Sequence, residues 1–133
     1  MKTSLVVTIF GLGFAASVLP LLAHHSVPAQ YDTDKMITIR GVVTKTEWTN
    51  PHARFWVDAK ADDVSTWEME LPAPNALRYE GVKMDFVKQG DQVTVILWRA
   101  KDGSRLAHAL TLTLPDGRVM NFPRNWGMPE KSK

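Results

Sequence analysis

Residues 36–48 read MITIRGVVTKTEW, and the choice of fold turns on this stretch. It is crowded with β-branched side chains and long for a strand. Ile37 and Ile39 share one face, Gly41 interrupts, and Val42, Val43, Thr44, Thr46 and Trp48 continue the run. A glycine inside a strand marks a bulge or a sharp bend, as needed where one strand curls to serve two sheets. Thr49-Asn50-Pro51 then makes a turn.

Working outward, residues 53–60 form a second strand with Phe55 and Val57 on one face and Arg54, Trp56 and Asp58 on the other. After a turn at Asp62-Asp63, residues 65–71 alternate cleanly, with Trp67, Met69 and Leu71 inward and Glu68 and Glu70 on the solvent side. Pro72 and Pro74 end that strand, and residues 75–81 can make two helical turns with Leu77 inward and Gly81 near the C-cap. The turn at 88–91 introduces an apolar fourth strand at 92–100, the hairpin signal Lys101-Asp102-Gly103-Ser104 leads to a fifth at 106–114, and 118–122 can form a short sixth. Three strands, a short helix and then two strands with a small appendage is the order of an OB-fold. The expectation is therefore an all-β chain with one short helix, folded as an OB-fold-like five- to six-stranded antiparallel Greek-key barrel over residues 36–122. The alternative is another small β-barrel or sandwich of equal strand count.

Upstream of this domain, Lys2 precedes an apolar run from Leu5 to Leu22 that is broken by Pro20, and Ala23 supplies a small residue for signal peptidase. Residues 1–23 read as a cleaved signal peptide and imply a periplasmic protein with no stable membrane insertion after cleavage. A cut after Ala29 is the second possibility, and an uncleaved anchor the third, because the run nearly suffices to span a bilayer. Residues 24–35 read as an extended N-terminal arm, and residues 123–133, with two prolines, as an irregular tail.

Removing residues 1–23 takes away only Lys2 among the charged residues, leaving 15 basic against 14 acidic side chains. That balance argues against a nucleic-acid partner, which requires a basic excess. No cysteine is present, so thiolate metal sites, thiol catalysis and covalent haem attachment are excluded. Stability has to come from a packed core.

Three stretches carry a family resemblance: His24-His25-Ser26, the run Glu47-Trp48-Thr49-Asn50-Pro51-His52-Ala53, and LPAPNAL at 71–77. Together with Gly90-Asp91 and the turn at 101–104, they resemble the small exported bacterial proteins grouped as domain of unknown function 6152. The resemblance spans essentially the whole mature chain. It implies periplasmic export and one β-barrel domain, and it brings no activity. Val27 stands where related sequences often carry Phe.

The chain has four histidines, and their placement is the main chemical signal. Cleavage after Ala23 makes His24 the new amino terminus, whose α-amine and imidazole together chelate copper. A second histidine from elsewhere completes a three-nitrogen histidine brace, an arrangement that suits copper. His52, in the turn after the first strand, and His108, in the fifth, are the candidates to complete it, with His25 a further ligand or a neighbour. Each has a plainer role open to it. His108 shares an apolar face with Leu106, Leu110, Leu112 and Leu114 and can be a hydrogen-bonded core residue. His52 can satisfy turn backbone groups or pack beside Trp48, and the His24-His25 arm can simply be unstructured.

The alternative function is a non-metal binding module. Trp48, Trp56 and Trp98, with Arg54 and Arg99, would line a barrel face that takes a small organic ligand or a protein partner by stacking. No nucleophile elbow, P-loop, HExxH helix or dinucleotide fingerprint occurs, so no catalytic residue is assigned. The two readings divide on the mature terminus. Mass spectrometry of the exported protein is expected to give a chain that starts at His24; a start at Gln30 would remove the terminal chelate.

Overall fold

The structure is a computed structural model and describes residues 26–59 and 65–124. The expected signal peptide, His24 and His25, the turn at Asp62-Asp63 and the tail beyond residue 124 lie outside the described residues. The described elements are α1 (Val27–Gln30), β1 (Tyr31–Glu47), β2 (Arg54–Ala59), β3 (Ser65–Glu70), α2 (Pro74–Tyr79), β4 (Gln92–Ala100), β5 (Leu106–Thr113) and β6 (Val119–Asn121). They form one six-stranded, mostly antiparallel sheet in the order β3-β2-β1-β4-β5-β6, and an additional parallel pairing joins β3 to β5.

The length of β1 has a structural purpose. Met36 to Val42 pair with β4, while Gly41 to Glu47 pair with β2, so Gly41 stands opposite Val93 on one side and Ala59 on the other. A Cβ built on Gly41 would lie 2.1 Å from the carbonyl oxygen of Asp58 and 2.7 Å from a methyl of Val57. The glycine is there for close backbone approach. The bulge expected at this position lies further on, between Val43 and Lys45, where Thr44 is the extra residue.

The strand also reaches further back than expected. A helical turn with Pro28 in its first positions leads into β1, whose residues 31–35 are extended, and Val27 and Tyr31 are buried. Lys101 ties the turn down, its N–H donating to Gln30 O at 2.9 Å and its Nζ to Pro28 O at 2.7 Å. These partners come from the turn after β4, which the local sequence of residues 24–35 cannot reveal.

The core is built from the inward faces of the strands. Val43, Phe55, Val57, Met69, Val95 and Leu97 are buried there, and α2 closes one end with Leu77. Beyond the α2 C-cap, Gly81 takes φ +77, with its N–H on Arg78 O and the N–H of Val82 on Leu77 O. This is the Schellman termination that a C-terminal glycine signals.

One further irregularity decides where a histidine goes. Ile96 pairs with Thr111 and Leu97 with Ala109, so Leu110 is an extra residue in β5. The bulge switches the alternation. Ala107, Ala109, Leu112 and Leu114 all belong to the main core, whereas Leu110 packs in a second cluster with Val27, Tyr31, Trp98 and Ala100, alongside Leu106. The expected single face of Leu106, His108, Leu110, Leu112 and Leu114 is therefore corrected: strict period-2 counting fails across a bulge.

Gly41→Ala is expected to destabilise the protein by about 3 kcal/mol, since the obstacle is backbone and cannot swing away. Urea denaturation measures this; a shift below about 0.5 kcal/mol would mean that β1 and β2 have room to separate.

Candidate functional site

Ala53 and Leu71 continue the β2–β3 pairing, with Leu71 N–H on Ala53 O at 2.9 Å. Side chains alternate along both chains. His52 and Arg54 consequently point away from the main core, as do Glu68 and Glu70 across from them. Two diagonal pairs result. Arg54 Nε lies 3.2 Å from Glu68 Oε1, and His52 Nδ1 meets Glu70 Oε1. On its other edge β3 runs beside β5, and there Glu70 is in register with His108.

Glu70 was expected on a solvent face and is only 7% exposed. It does point outward from the main core, but the N-terminal segment covers it. The phenol of Tyr31, itself 1% exposed, donates to Glu70 Oε2. Both carboxylate oxygens thus accept a hydrogen bond from a side chain that is distant in sequence. That satisfies the demand that a buried charge be paired and hydrogen-bonded. Burial pushes the Tyr31 phenol well above its ordinary value, and the hydrogen bond to Glu70 and the charges of Glu70 and Glu68 push the same way against Arg54.

His108 is fully buried beside this group. Its ring stands edge-on to Tyr31, with centroids 5.5 Å apart, and tilted against Trp98 at 5.3 Å. Trp98 is the cross-strand partner of His108 in β4, so the bulge that turns His108 off the main core also brings it against this ring. Burial lowers the His108 imidazole to about 4; His52 adds to the shift, and the Glu70 carboxylate opposes it.

The structure thus brings His52 and His108 together around Glu70, while His24 and His25 lie outside the described residues. Among the described residues, no group of three or more His, Cys, Asp and Glu is disposed to hold a metal ion. Glu70 and Tyr31 were missed from the sequence. Glu70 looked like an ordinary alternating surface acid, and a burial signal for it exists only in the partners that other elements bring.

The aromatic and arginine candidates are spread over different environments. Trp48 packs on the main core, edge-on to Phe86 at 5.9 Å, and Trp98 is buried in the second cluster. Trp56 lies on the outer face of β2 beneath Lys45 Nζ, 4.5 Å from its centroid, with Arg54 on the same face engaged by Glu68. Arg99 donates to the carbonyls of Ser104 and Gly103 and stacks 5.4 Å from Trp67. A cleft of about 480 Å³ lies elsewhere, against Phe86, Lys88 and Met120, and no predicted site residue lines it. Among the described residues no helix is long and apolar enough to cross a membrane.

The model of a family described as "Family of unknown function (DUF6152)" matches residues 13–109. No curated protein matches the chain.

The lowered His108 value makes a pH prediction. Above about pH 6.5 the imidazole is neutral in folded and unfolded chains alike, and its contribution is complete. As pH falls from 6.5 toward about 4, the unfolded chain takes the proton first, and about 3 kcal/mol of stability is lost over that window. His108→Phe is expected to flatten the slope of unfolding free energy against pH. An unchanged slope would assign the titration to another group.

Proposed function

We propose a function from the site itself, because the chain belongs to the DUF6152 family and that family's function is unknown. The protein is a periplasmic accessory protein that takes copper as cargo, for transport, buffering or delivery. His24, made N-terminal by signal-peptide removal, supplies its α-amine and imidazole, and His52 or His108 supplies the third nitrogen. The scaffold in this reading is an OB-like Greek-key barrel. Its support is the cycle of pairings β1-β2-β3-β5-β4-β1, with α2 between β3 and β4 and β1 shared by β2 and β4.

The observation that carries the copper reading is the convergence of His52 and His108 on Glu70, at the place where the N-terminal segment docks. Ser26 follows His24 by two residues, a reach of about 7 Å for extended chain. Val27, next in sequence, packs in the same cluster as Tyr31 and Trp98, the rings that cover His108. The donor set is chemically suited: imidazoles and an amine, no thiolate, and a carboxylate behind one imidazole. With Nδ1 of His52 engaged by Glu70, its Nε2 is the ring atom that would bind metal. When bound there, copper would gain the affinity of a nitrogen-rich site that no internal residue alone can provide.

Copper titration by calorimetry tests this reading. The protein beginning at His24 is expected to bind tightly, and one additional residue before His24 should weaken binding tenfold or more (about 1.4 kcal/mol). His52→Ala is expected to lower affinity in the same way. Equal affinity with and without the extension would remove the amine from the site, and no binding at all would overturn the reading.

A further inference from the structure

Glu70 joins two parts of the molecule that have no local connection. Its Oε1 receives Nδ1 of His52, from the loop that precedes β2, and its Oε2 receives the Tyr31 phenol, from the start of β1. Tyr31 also pairs with Ala100 in β4, and its ring rests on His108. One carboxylate therefore sets the His52 ring and holds the N-terminal segment over His108. Water has little access to the carboxylate, because Glu70 is almost wholly buried.

We infer that Glu70 is the positioning residue of this site: its carboxylate fixes His52 with the proton on Nδ1, and through Tyr31 it locks the N-terminal segment to the same point. The copper consequence rests on the function proposed above; the positioning of His52 does not. The chemistry behind it is general. A carboxylate accepts and does not donate, so a histidine bonded to it through Nδ1 carries a proton there, and in its neutral form has Nε2 as the electron-pair donor. The negative charge behind the ring also makes that nitrogen a better ligand. Lys101 is a second anchor for the segment, through Gln30 and Pro28, so the lock at Tyr31 adds to an attachment that already exists.

The test uses the chain from His24 to Lys133, first without copper. In the ¹⁵N spectrum of the imidazoles at neutral pH, His52 is expected as the Nδ1–H tautomer. Glu70→Met, which keeps an unbranched side chain of similar length, should shift it toward the Nε2–H form that histidine favours in water. Glu70→Gln, which keeps the shape and removes the charge, should shift it less, and serves alone if the Met variant does not fold. Tyr31→Phe should leave the His52 tautomer unchanged but speed amide exchange in residues 27–31. An Nδ1–H tautomer that persists undiminished in Glu70→Met, or in Glu70→Gln where that variant serves alone, would overturn the inference. Copper affinity is then read on the same proteins, with a loss of about 10- to 100-fold expected for Glu70→Met. If the unsubstituted chain binds no copper, the copper reading fails while the tautomer result still decides the role of Glu70.

Discussion

At residue 41 the first strand lies so close to the backbone of β2 that a methyl group has no place. A Cβ there would sit 2.1 Å from the Asp58 carbonyl oxygen, inside any permissible contact. That approach lets one strand pair with β4 through its first part and with β2 through its last. Everything else follows from this double use. β2 carries β3 with it, β4 carries β5, and the two flanks meet in the parallel pairing of β3 with β5. Glu70 and His108 are neighbours only because of that meeting, being 38 residues apart in the chain.

A second irregularity acts on the other flank. The extra residue Leu110 shifts β5 out of phase with itself, so the same strand lends Ala107, Ala109, Leu112 and Leu114 to the main core and Leu106 and Leu110 to a second apolar cluster. The N-terminal segment packs on that second cluster through Val27 and Tyr31. The outer face of β4 and β5 is thereby covered, and His108 loses its contact with water. Burial there disfavours its charged form.

Between these two devices stands one buried carboxylate. Burying an ion costs several kcal/mol unless its lone pairs are met, and breaking a partnered one costs more than making it gains. Glu70 meets that condition with two side-chain donors from separate elements. The arrangement is high in specificity for that reason: His52, Tyr31 and Glu70 fit together only when the β1 start, the loop before β2 and the end of β3 are all in place. A group of this kind in a protein with no cysteine supplies a long-range constraint between distant segments without a covalent link.

Much of this was legible in the amino-acid sequence. The strands at 53–60, 65–71, 92–100 and 106–114 announced themselves by alternation and turn residues, Leu77 by its place in a short helix, and Gly41 by interrupting a β-branched run. Such signals are local, set by backbone conformation and by which side of a strand faces oil. The four histidines were visible too, although only as a list of donors. What the tertiary structure alone decided was the company of His52 and His108. Period-2 counting placed Glu70 in water and His108 among four leucines, because a count cannot foresee a bulge or a covering segment. Tyr31 carried no signal at all, since its importance lies in a carboxylate 39 residues away. A strand's own residues determine that it is a strand; which of its outward side chains becomes a buried site depends on what folds over it.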